Sequence, residues 1–336
     1  MARTFPDSVF DKIDYWLKDA SENNFGDFLT VYLRDRLFLP IGVRVGQYRI
    51  IGSTLADFIV RDAVEAVAIG TDKLDSRVAF WGCGVRDATS LTSAWRDQAV
   101  ICGVRGPLSR DALGLPADTP MVDPGLLLPA LYRPLPDLAA AGRSIAIPHF
   151  HDRRGDTLLL GMAGADVLLR PNIANDIGAL LAMVDAIAAA DFVLSASLHG
   201  AIIAAAFGVK FAYWDNGHLD LPFKWDDFAA SVGIPSVFAA NVAEGRPIYA
   251  NAIFPVMHLP PLWPLLSVAP LAVRSEAAVA VAMYERDRVG DTAVEHARLQ
   301  ARTAAQAGYG ATDDWVLAAL KYRSQPRRRW WQILWR

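Results

Sequence analysis

Short apolar runs alternate with polar turns and amphipathic segments along most of the chain. Many of the apolar runs end in a glycine- or asparagine-rich turn, and a segment with helical apolar spacing follows the turn. The runs that predict strands are Ile13–Leu17, Tyr48–Ile51, Val78–Trp81, Ala99–Cys102, Ser144–Ile147, Val167–Leu169, Phe192–Ser195 and Phe211–Trp214. The segments that predict helices are Phe28–Leu37, a stretch from Pro107 to Gly114, Asn175–Ala190, Leu198–Phe207, Ser275–Ala307 and Ala311–Tyr322. Strands that alternate with helices predict parallel sheets in an α/β fold.

A segment rich in proline and alanine, Pro129–Gly142, interrupts the alternation and predicts a domain boundary. Two α/β runs around such a joint predict two Rossmann-like domains that face a cleft, with ligands bound where strands end and helices begin. We predict an N-terminal Rossmann-like domain at 1–135, a second at 143–254, a proline-rich crossing (Pro255–Pro270) with C-terminal helices at 255–323, and a tail at 324–336.

The chain length of 336 residues agrees with about two domains. Apolar residues make up 53% of the chain, which excludes a disordered protein. Net charge is −3, but residues 321–336 carry six basic residues and no acidic one, so the other 320 residues carry −9. The tail also holds Trp330, Trp331 and Trp335. Basic and aromatic residues together suit an anionic membrane surface. A tail that packs on the body or is disordered is the alternative.

The chain has two cysteines, Cys83 and Cys102, too few for a disulfide framework or a four-cysteine zinc site. Residues 1–10 contain no apolar core of a signal peptide. We therefore expect a cytoplasmic protein, with contact to the inner face of the membrane through 324–336. The charge balance favours no nucleic-acid partner.

Two glycine-containing turns are candidate parts of a functional site. Asn24 and Asp27, with Gly26 between them, precede a predicted helix, where asparagine caps and an acidic residue complements the helix dipole. The second turn, from Gly82 through Gly84 to Arg86, begins like a dinucleotide fingerprint. Asp87 takes the place of its third glycine, so nicotinamide binding is not expected, and a turn that approaches an anionic ligand is the functional alternative to a plain tight turn.

Three further positions carry candidate chemistry. Arg105 lies between glycines at a strand end, where a guanidinium can bind carboxylate or phosphate. His199 follows Ser197 and Leu198 at the start of an apolar helix, whose N-terminus favours anions. His149 and its neighbour at 151 share one side of a strand end but lack accompanying carboxylates, so we expect hydrogen bonding rather than metal binding.

Taken in order, these segments resemble the polysaccharide pyruvyl transferase family, most closely the branch that decorates bacterial exopolysaccharides such as succinoglycan. The matching pieces are NFGDFLTVYL (24–33), IIGSTL (50–55), FWGCGVR (80–86), VRGPLSRDALG (104–114), DPGLLLP (123–129), IPHFHD (147–152), LSASLHGAIIAAAFGV (194–209) and FKWDDFAASVG (223–233). The resemblance implies a two-domain, glycosyltransferase-B-like fold. It also implies transfer of pyruvate from phosphoenolpyruvate to a sugar as a ketal, without metal or nicotinamide.

The resemblance implies roles for residues of this chain. His199 would act as the acid or bind phosphate, and Asp27 would accept a proton from the acceptor hydroxyl or only cap its helix. The substrate-binding set would comprise Arg105, Ser197, Leu198, Asn24, Gly26, Gly82, Gly84, Arg86, Ser53 and His149. No cofactor is expected beyond phosphoenolpyruvate as donor substrate, and the acceptor would be a saccharide, lipid-linked as we expect.

This chain departs from the family pattern at one position. Some relatives carry arginine directly before the Leu-His pair, whereas this chain carries Ser197. Arg86, Arg110 and Arg170 are the candidates to supply the missing charge. Two other functions remain as alternatives: a nucleotide-sugar-dependent glycosyltransferase of similar architecture, and a non-catalytic, membrane-docked partner in polysaccharide assembly.

Overall fold

A computed structural model describes residues 9–16, 22–42, 45–69 and 76–285. The strands are β1 (Glu22–Asn24), β2 (Phe38–Gly42), β3 (Gln47–Arg49), β4 (Val78–Cys83), β5 (Ala99–Val104), β6 (Ser144–Ile147), β7 (Val167–Leu168), β8 (Asn172–Ala174), β9 (Phe192–Ser195), β10 (Phe211–Trp214), β11 (Phe238–Ala239) and β12 (Leu271–Val273).

The α-helices are α1 (Phe25–Leu37), α2 (Asp57–Ile69), α3 (Ser93–Arg96), α4 (Pro107–Ala112), α5 (Leu128–Leu131), α6 (Asp156–Ala163), α7 (Ile177–Ala189), α8 (Leu198–Ala206), α9 (Pro222–Ser231), α10 (Val242–Ile248), α11 (Trp263–Ser267) and α12 (Ser275–Tyr284). Short 3₁₀ turns at Val9–Lys12 and Pro124–Leu127 and a π-helical turn at Tyr249–Ile253 complete the set.

Two parallel sheets confirm the α/β class. The first has three strands in the order β3-β4-β5. The second has five strands in the order β11-β10-β9-β6-β7, and every neighbouring pair is parallel. The strand order of the second sheet changes direction between β6 and β9. In open α/β sheets ligands bind outside the carboxyl ends of the strands at such a point, so His149 and Ser197, which follow these two strands, lie where a ligand is expected.

Two antiparallel strand pairs join segments that are distant in sequence. β1 pairs with β8, and β2 pairs with β12. The helix α1 directly follows β1, and its apolar face packs against α7 and α8. Phe25, Leu29 and Leu33 of this helix are fully buried in the large core that also contains the second sheet. The start of α1 is thereby held beside the start of α8.

Most predicted elements are found close to their predicted bounds. Ser144–Ile147, Phe192–Ser195 and Phe211–Trp214 are strands as predicted. The predicted strand at Ile13–Leu17 is wrong over its described part, which holds a single bridge at Ile13. The extended crossing predicted for Pro255–Pro270 is interrupted by α11, because Pro264 occupies the first turn of that helix, where proline is tolerated.

The C-terminal predictions fall mostly outside the described residues. Of the helix predicted for Ser275–Ala307, the structure describes α12, and the helix at Ala311–Tyr322 and the tail at 324–336 lie beyond residue 285. Within the described ranges, no helix is both long and apolar enough to span a bilayer. The domain boundaries stay predictions.

Candidate functional site

The first turn of α1 presents a carboxylate. Asn24 caps the helix by accepting a hydrogen bond from the Gly26 amide, and its Nδ2 donates to Asp27 Oδ2 at 2.8 Å. Burial raises the pKa of Asp27 to about 6, against the opposing effects of the Asn24 hydrogen bond and of the Lys224 and Arg49 charges. Asp27 is therefore a carboxylate that can gain or lose a proton close to neutral pH.

The imidazole of His199 lies directly against the start of α1. A Cβ placed on Gly26 would lie 2.2 Å from His199 Nδ1, so only glycine leaves room for the ring. Burial, together with the nearby Lys224 and Arg105 charges, lowers the pKa of His199 to about 3. The ring is therefore neutral at pH 7, and its buried Nε2 has no hydrogen-bond partner.

The residues before α8 leave its first amides available. Ser195 Oγ donates to the Ser197 carbonyl at 2.6 Å and accepts from the Ser197 amide at 3.2 Å. The Ser197 side chain makes no capping hydrogen bond to α8. Gly200 leaves room for the Ser195 hydroxyl, since a Cβ there would lie 2.5 Å from it. The uncapped start of α8, next to His199, can receive an anion.

Lys224 is a cation whose charge acts on both Asp27 and His199, and the sequence did not single it out. It lies in the first turn of α9 and is mostly buried, with 15% of its side chain exposed. Its ammonium interacts electrostatically with the Asp27 carboxylate and with His199. Burial lowers the pKa of Lys224, against the opposing charge of Asp220. The segment FKWDDF contains no turn signal, so only the packing of α9 shows that Lys224 lies near Asp27 and His199.

Asp220 connects Lys224 to His149. Its Oδ1 binds the Lys224 ammonium and lies 3.1 Å from His149 Nε2. His149 Nδ1 accepts a hydrogen bond from the backbone amide of residue 151 at 3.2 Å, so Nε2, which faces Asp220, carries a proton. Burial would raise the pKa of Asp220, but His149 and Lys224 outweigh it and hold that pKa well below its usual range.

The backbone between Asp220 and Lys224 is strained. Leu221 adopts φ of +44°, and among the described residues it is the one non-glycine with positive φ. A leucine in this region costs about 1–3 kcal/mol, and such strain persists where the surroundings fix it, often at functional sites. Here it sets the angle between the Asp220 loop and the start of α9.

Arg105, which directly follows β5, is buried and links this strand end to α9 and to the loop that holds Ser53. Its Nε donates to Asp227 Oδ2 at 3.2 Å, and its Nη1 donates to Ser53 Oγ at 2.8 Å. Asp227 also accepts from the Ser109 amide and hydroxyl. The Arg105 Nη2 atom is buried without a partner. Asp227 thus ties α9 both to Ser109 of α4 and to Arg105, whose Nη2 has no protein partner.

Gly82, near the end of β4, and Gly84, directly after the strand, pack closely against other protein atoms. A Cβ on Gly82, which has φ of +68°, would lie 2.4 Å from Pro124, and one on Gly84 would lie 2.2 Å from Arg105 Nη2. The Gly84 amide donates to the Gly52 carbonyl at 2.9 Å. These glycines admit a proline ring and the Arg105 guanidinium, which accounts for their presence without a ligand.

The three arginines considered as substitutes at Ser197 have other partners. Arg86 stacks over Phe58, Arg110 pairs with Asp111, and Arg170 binds Asp156 together with two backbone carbonyls. None of the three contributes to the charges felt by Asp27 or His199, whereas Lys224 contributes to both.

Sequence reasoning also missed another buried carboxylate whose pKa is raised. Asp123 caps the 3₁₀ turn at Pro124–Leu127 through Oδ1, which accepts from the Gly125 amide at 2.9 Å, while Oδ2 has no partner. Burial raises its pKa to about 6, against the Arg105 charge. The signal was present in DPGLLLP, where an aspartate precedes Pro-Gly at a helix start. Among the residues described, no group of three or more His, Cys, Asp or Glu side chains could hold a metal ion.

Comparisons with known proteins show the family of the chain. The family model for polysaccharide pyruvyl transferases matches residues 50–218. The succinoglycan biosynthesis protein ExoV of Rhizobium meliloti (strain 1021) is 25% identical over 227 residues, which cover 66% of this chain. The aligned region spans 64% of that relative, slightly less than two thirds of its length. No solved structure matches the chain.

Proposed function

The chain belongs to the polysaccharide pyruvyl transferase family, and on that premise we propose that it transfers pyruvate from phosphoenolpyruvate to a sugar of an exopolysaccharide or of its lipid-linked precursor, as a ketal. The observation that carries the proposal is the contact between Gly26 and His199. It brings a carboxylate of raised pKa, an unpartnered imidazole nitrogen and the start of α8 to one place.

The donor carries a carboxylate and a phosphate, and the site offers matching groups. Lys224, the first amides of α8 and His199 Nε2 would bind them. Lys224 thereby supplies the charge that some relatives place directly before Leu-His. The unpartnered Nη2 of Arg105 would add one hydrogen bond, with Ser53 holding that guanidinium in place.

The reaction needs one proton at C3 of the donor. As the C=C bond opens and C3 takes that proton, C2 gains oxocarbenium character. One acceptor hydroxyl then forms a C2–O bond, the C2–O bond to phosphate breaks, and a second hydroxyl closes the ketal. Of the two hydroxyl protons, one balances the proton taken up at C3 and the other leaves with inorganic phosphate.

His199 and Asp27 would move these protons. The imidazole is neutral in the unliganded protein, but the donor's negative charges raise the pKa of a nearby imidazole and let it hold a proton. His199 would deliver that proton to C3, and Asp27 would accept the proton of the first hydroxyl. A positioned acid or base accelerates a reaction roughly 10²–10⁴-fold.

The acceptor would enter between the two halves of the protein. We propose two Rossmann-like domains in a glycosyltransferase-B-like arrangement, with the site in the cleft. For a lipid-linked acceptor, the basic and aromatic residues 324–336 would hold the protein at the inner membrane face, at about 1 kcal/mol for each basic residue near the surface. Deletion of 324–336 should move the protein from the membrane fraction to the soluble fraction, and an unchanged distribution would refute this docking role.

Phosphate release tests the proposal. The protein is incubated with phosphoenolpyruvate and lipid-linked oligosaccharides from an exopolysaccharide-producing cell, and inorganic phosphate is measured. We expect phosphate only with donor and acceptor together. Turnover of a nucleotide sugar instead would identify a glycosyltransferase. A His199→Ala variant that restores full pyruvylation in a deletion strain would support the non-catalytic alternative.

A further inference from the structure

A row of neighbouring rings, of which Trp16, His151 and His218 are exposed and His149 is buried, leads away from the candidate site. Trp16 lies in the segment before β1 and is 42% exposed. Its ring centroid lies 5.1 Å from Phe150 and 6.3 Å from His151, with the ring planes nearly perpendicular in both cases. The row continues from His151 to His149 at 5.5 Å and from His149 to His218 at 4.5 Å.

Both halves of the protein contribute to this ring row, which we define as Trp16, His151, His149 and His218. The Trp16 segment is fixed to the first sheet, because the neighbouring Asp14 amide donates to the Tyr48 carbonyl at 3.0 Å. The histidines follow β6 and β10 of the second sheet. A ligand on the row would therefore touch residues from both sheets.

The row ends at the proposed reaction centre. His149 binds Asp220, and Asp220 binds Lys224, whose charge acts on Asp27. A molecule lying along the rings would present one end to the carboxylate that is proposed to take a hydroxyl proton. The position fits the acceptor rather than the donor, which the charges at α8 and Lys224 attract.

The chemistry of the row suits a sugar chain. Neutral imidazoles both donate and accept hydrogen bonds, as hydroxyl groups do. Burial and the neighbouring His149 and Arg153 lower the pKa of His151, which favours its neutral form. Aromatic rings offer apolar area with few rotatable bonds, against which the C–H face of a pyranose can stack. Ligand sites commonly combine such rings with a few polar groups.

We propose that Trp16, His151 and His218 form the subsite that binds the saccharide acceptor, with Trp16 as the stacking platform farthest from the reaction centre. The inference rests on the proposed function for the identity of the acceptor. Binding of a sugar to the row is a separate property, and it can be measured without turnover.

The test has two arms. In the first, saturation-transfer NMR measures binding of methyl glycosides of glucose, galactose and mannose to the full-length protein. Trp16→Ala and His151→Ala should lose most of the wild-type signal, whereas Phe254→Ala, at an exposed ring elsewhere, should keep it. Equal signals in all variants, or no signal in the wild type, would overturn the subsite.

In the second arm, acceptor and donor KM values are measured for the same variants. Trp16→Ala should raise the acceptor KM roughly fivefold to tenfold, as expected for loss of one aromatic contact, and leave the donor KM unchanged. An unchanged acceptor KM, or an equal rise in both, would contradict the subsite. A wild type that binds glycosides but turns over no phosphoenolpyruvate would contradict the proposed function and not the subsite. Thermal unfolding shows whether each variant is folded.

Discussion

Gly26 and His199 are in such close contact that no side chain fits between them: a Cβ at residue 26 would lie 2.2 Å from Nδ1 of the imidazole. The contact joins the first turn of α1 to the first turn of α8, two helices that begin about 170 residues apart in the chain. The family resemblance named both residues, but only the packing shows that each fixes the other.

Gly26→Ala tests this contact. Alanine is favoured over glycine in a helix by about 1 kcal/mol, so propensity alone would stabilise the protein. The clash should instead displace His199 and lower kcat/KM by at least about tenfold, a part of the roughly 10²–10⁴-fold that a positioned acid contributes. Gly161→Ala is the matched control, because Gly161 also lies in a helix and a Cβ there meets nothing within 4 Å. Full activity of Gly26→Ala would show that the position of His199 is not critical.

Asp27→Asn should lose activity and gain stability. The pKa of this carboxyl is about 6 in the folded protein and about 3.9 when unfolded, so the folded state binds more protons between these values. Stability therefore falls as pH rises from about 4 to about 6, and the penalty is fully present above pH 6. Removing the charge should raise the free energy of unfolding by about 1–2 kcal/mol at pH 7, a value that already allows for partial solvent exposure. Below about pH 4 it should leave the free energy of unfolding unchanged.

Urea unfolding at several pH values measures this effect, with Asp35→Asn on the exposed side of the same helix as control. A stability gain independent of pH would contradict the raised pKa. The same carboxyl should appear as a limb in the pH profile of kcat/KM that rises through about 6 in the wild type. An unchanged limb in Asp27→Asn would assign the proton acceptance to another group.

The Arg105–Asp227 pair should behave as a buried ion pair. Arg105→Met and Asp227→Asn each leave a buried partner without its counter-charge, which costs about 3–5 kcal/mol. The double variant should cost clearly less than the two single losses together, because no isolated charge remains. Urea unfolding of the four proteins gives the coupling energy. Additive losses would mean that the two side chains do not depend on each other.

Lys224→Met should raise the donor KM by about tenfold or more, since hydrogen bonds to charged groups are worth about 1.5–3 kcal/mol. Lys224→Arg should restore part of the loss, as some relatives use arginine for this charge. The control is Lys210→Met, which removes an exposed lysine paired with Asp191. If Lys224→Met retained activity with an unchanged donor KM, Lys224 would not bind the donor. Arg86, Arg110 and Arg170 would then again be the candidates for the missing charge.

Local patterns were sufficient for most of the elements. The strand Phe192–Ser195 and the helix after it are mostly apolar between a polar start and a glycine end, and this pattern places both. The prediction of an extended crossing at Pro255–Pro270 missed α11, because proline is also tolerated in the first turn of a helix, as at Pro264. The order of the five strands, and hence the position of His149 beside Ser197, depends on long-range pairing that no local pattern records.

The sequence alone locates the candidate residues that lie at helix starts. Asn24, Asp27 and His199 lie at helix starts that the sequence marks. The roles of Arg105 and Lys224 depend on partners that the chain brings from far away: Asp227 is 122 residues from Arg105. An arginine that pairs with a buried carboxylate of the protein and an arginine that binds a ligand can have the same local sequence. The sequence therefore could not distinguish the two roles for Arg105.

The most direct test of the pyruvyl transfer is the product itself. The protein is incubated with phosphoenolpyruvate and a saccharide acceptor in D₂O, and the acceptor is analysed by mass spectrometry and NMR. The account predicts a gain equal to the mass of pyruvic acid less one water, with one hydrogen replaced by deuterium, so that a CH₂D group stands on the ketal carbon. An acceptor that gains a sugar from a nucleotide sugar, or that stays unchanged while His199→Ala and the wild type behave alike, would contradict it.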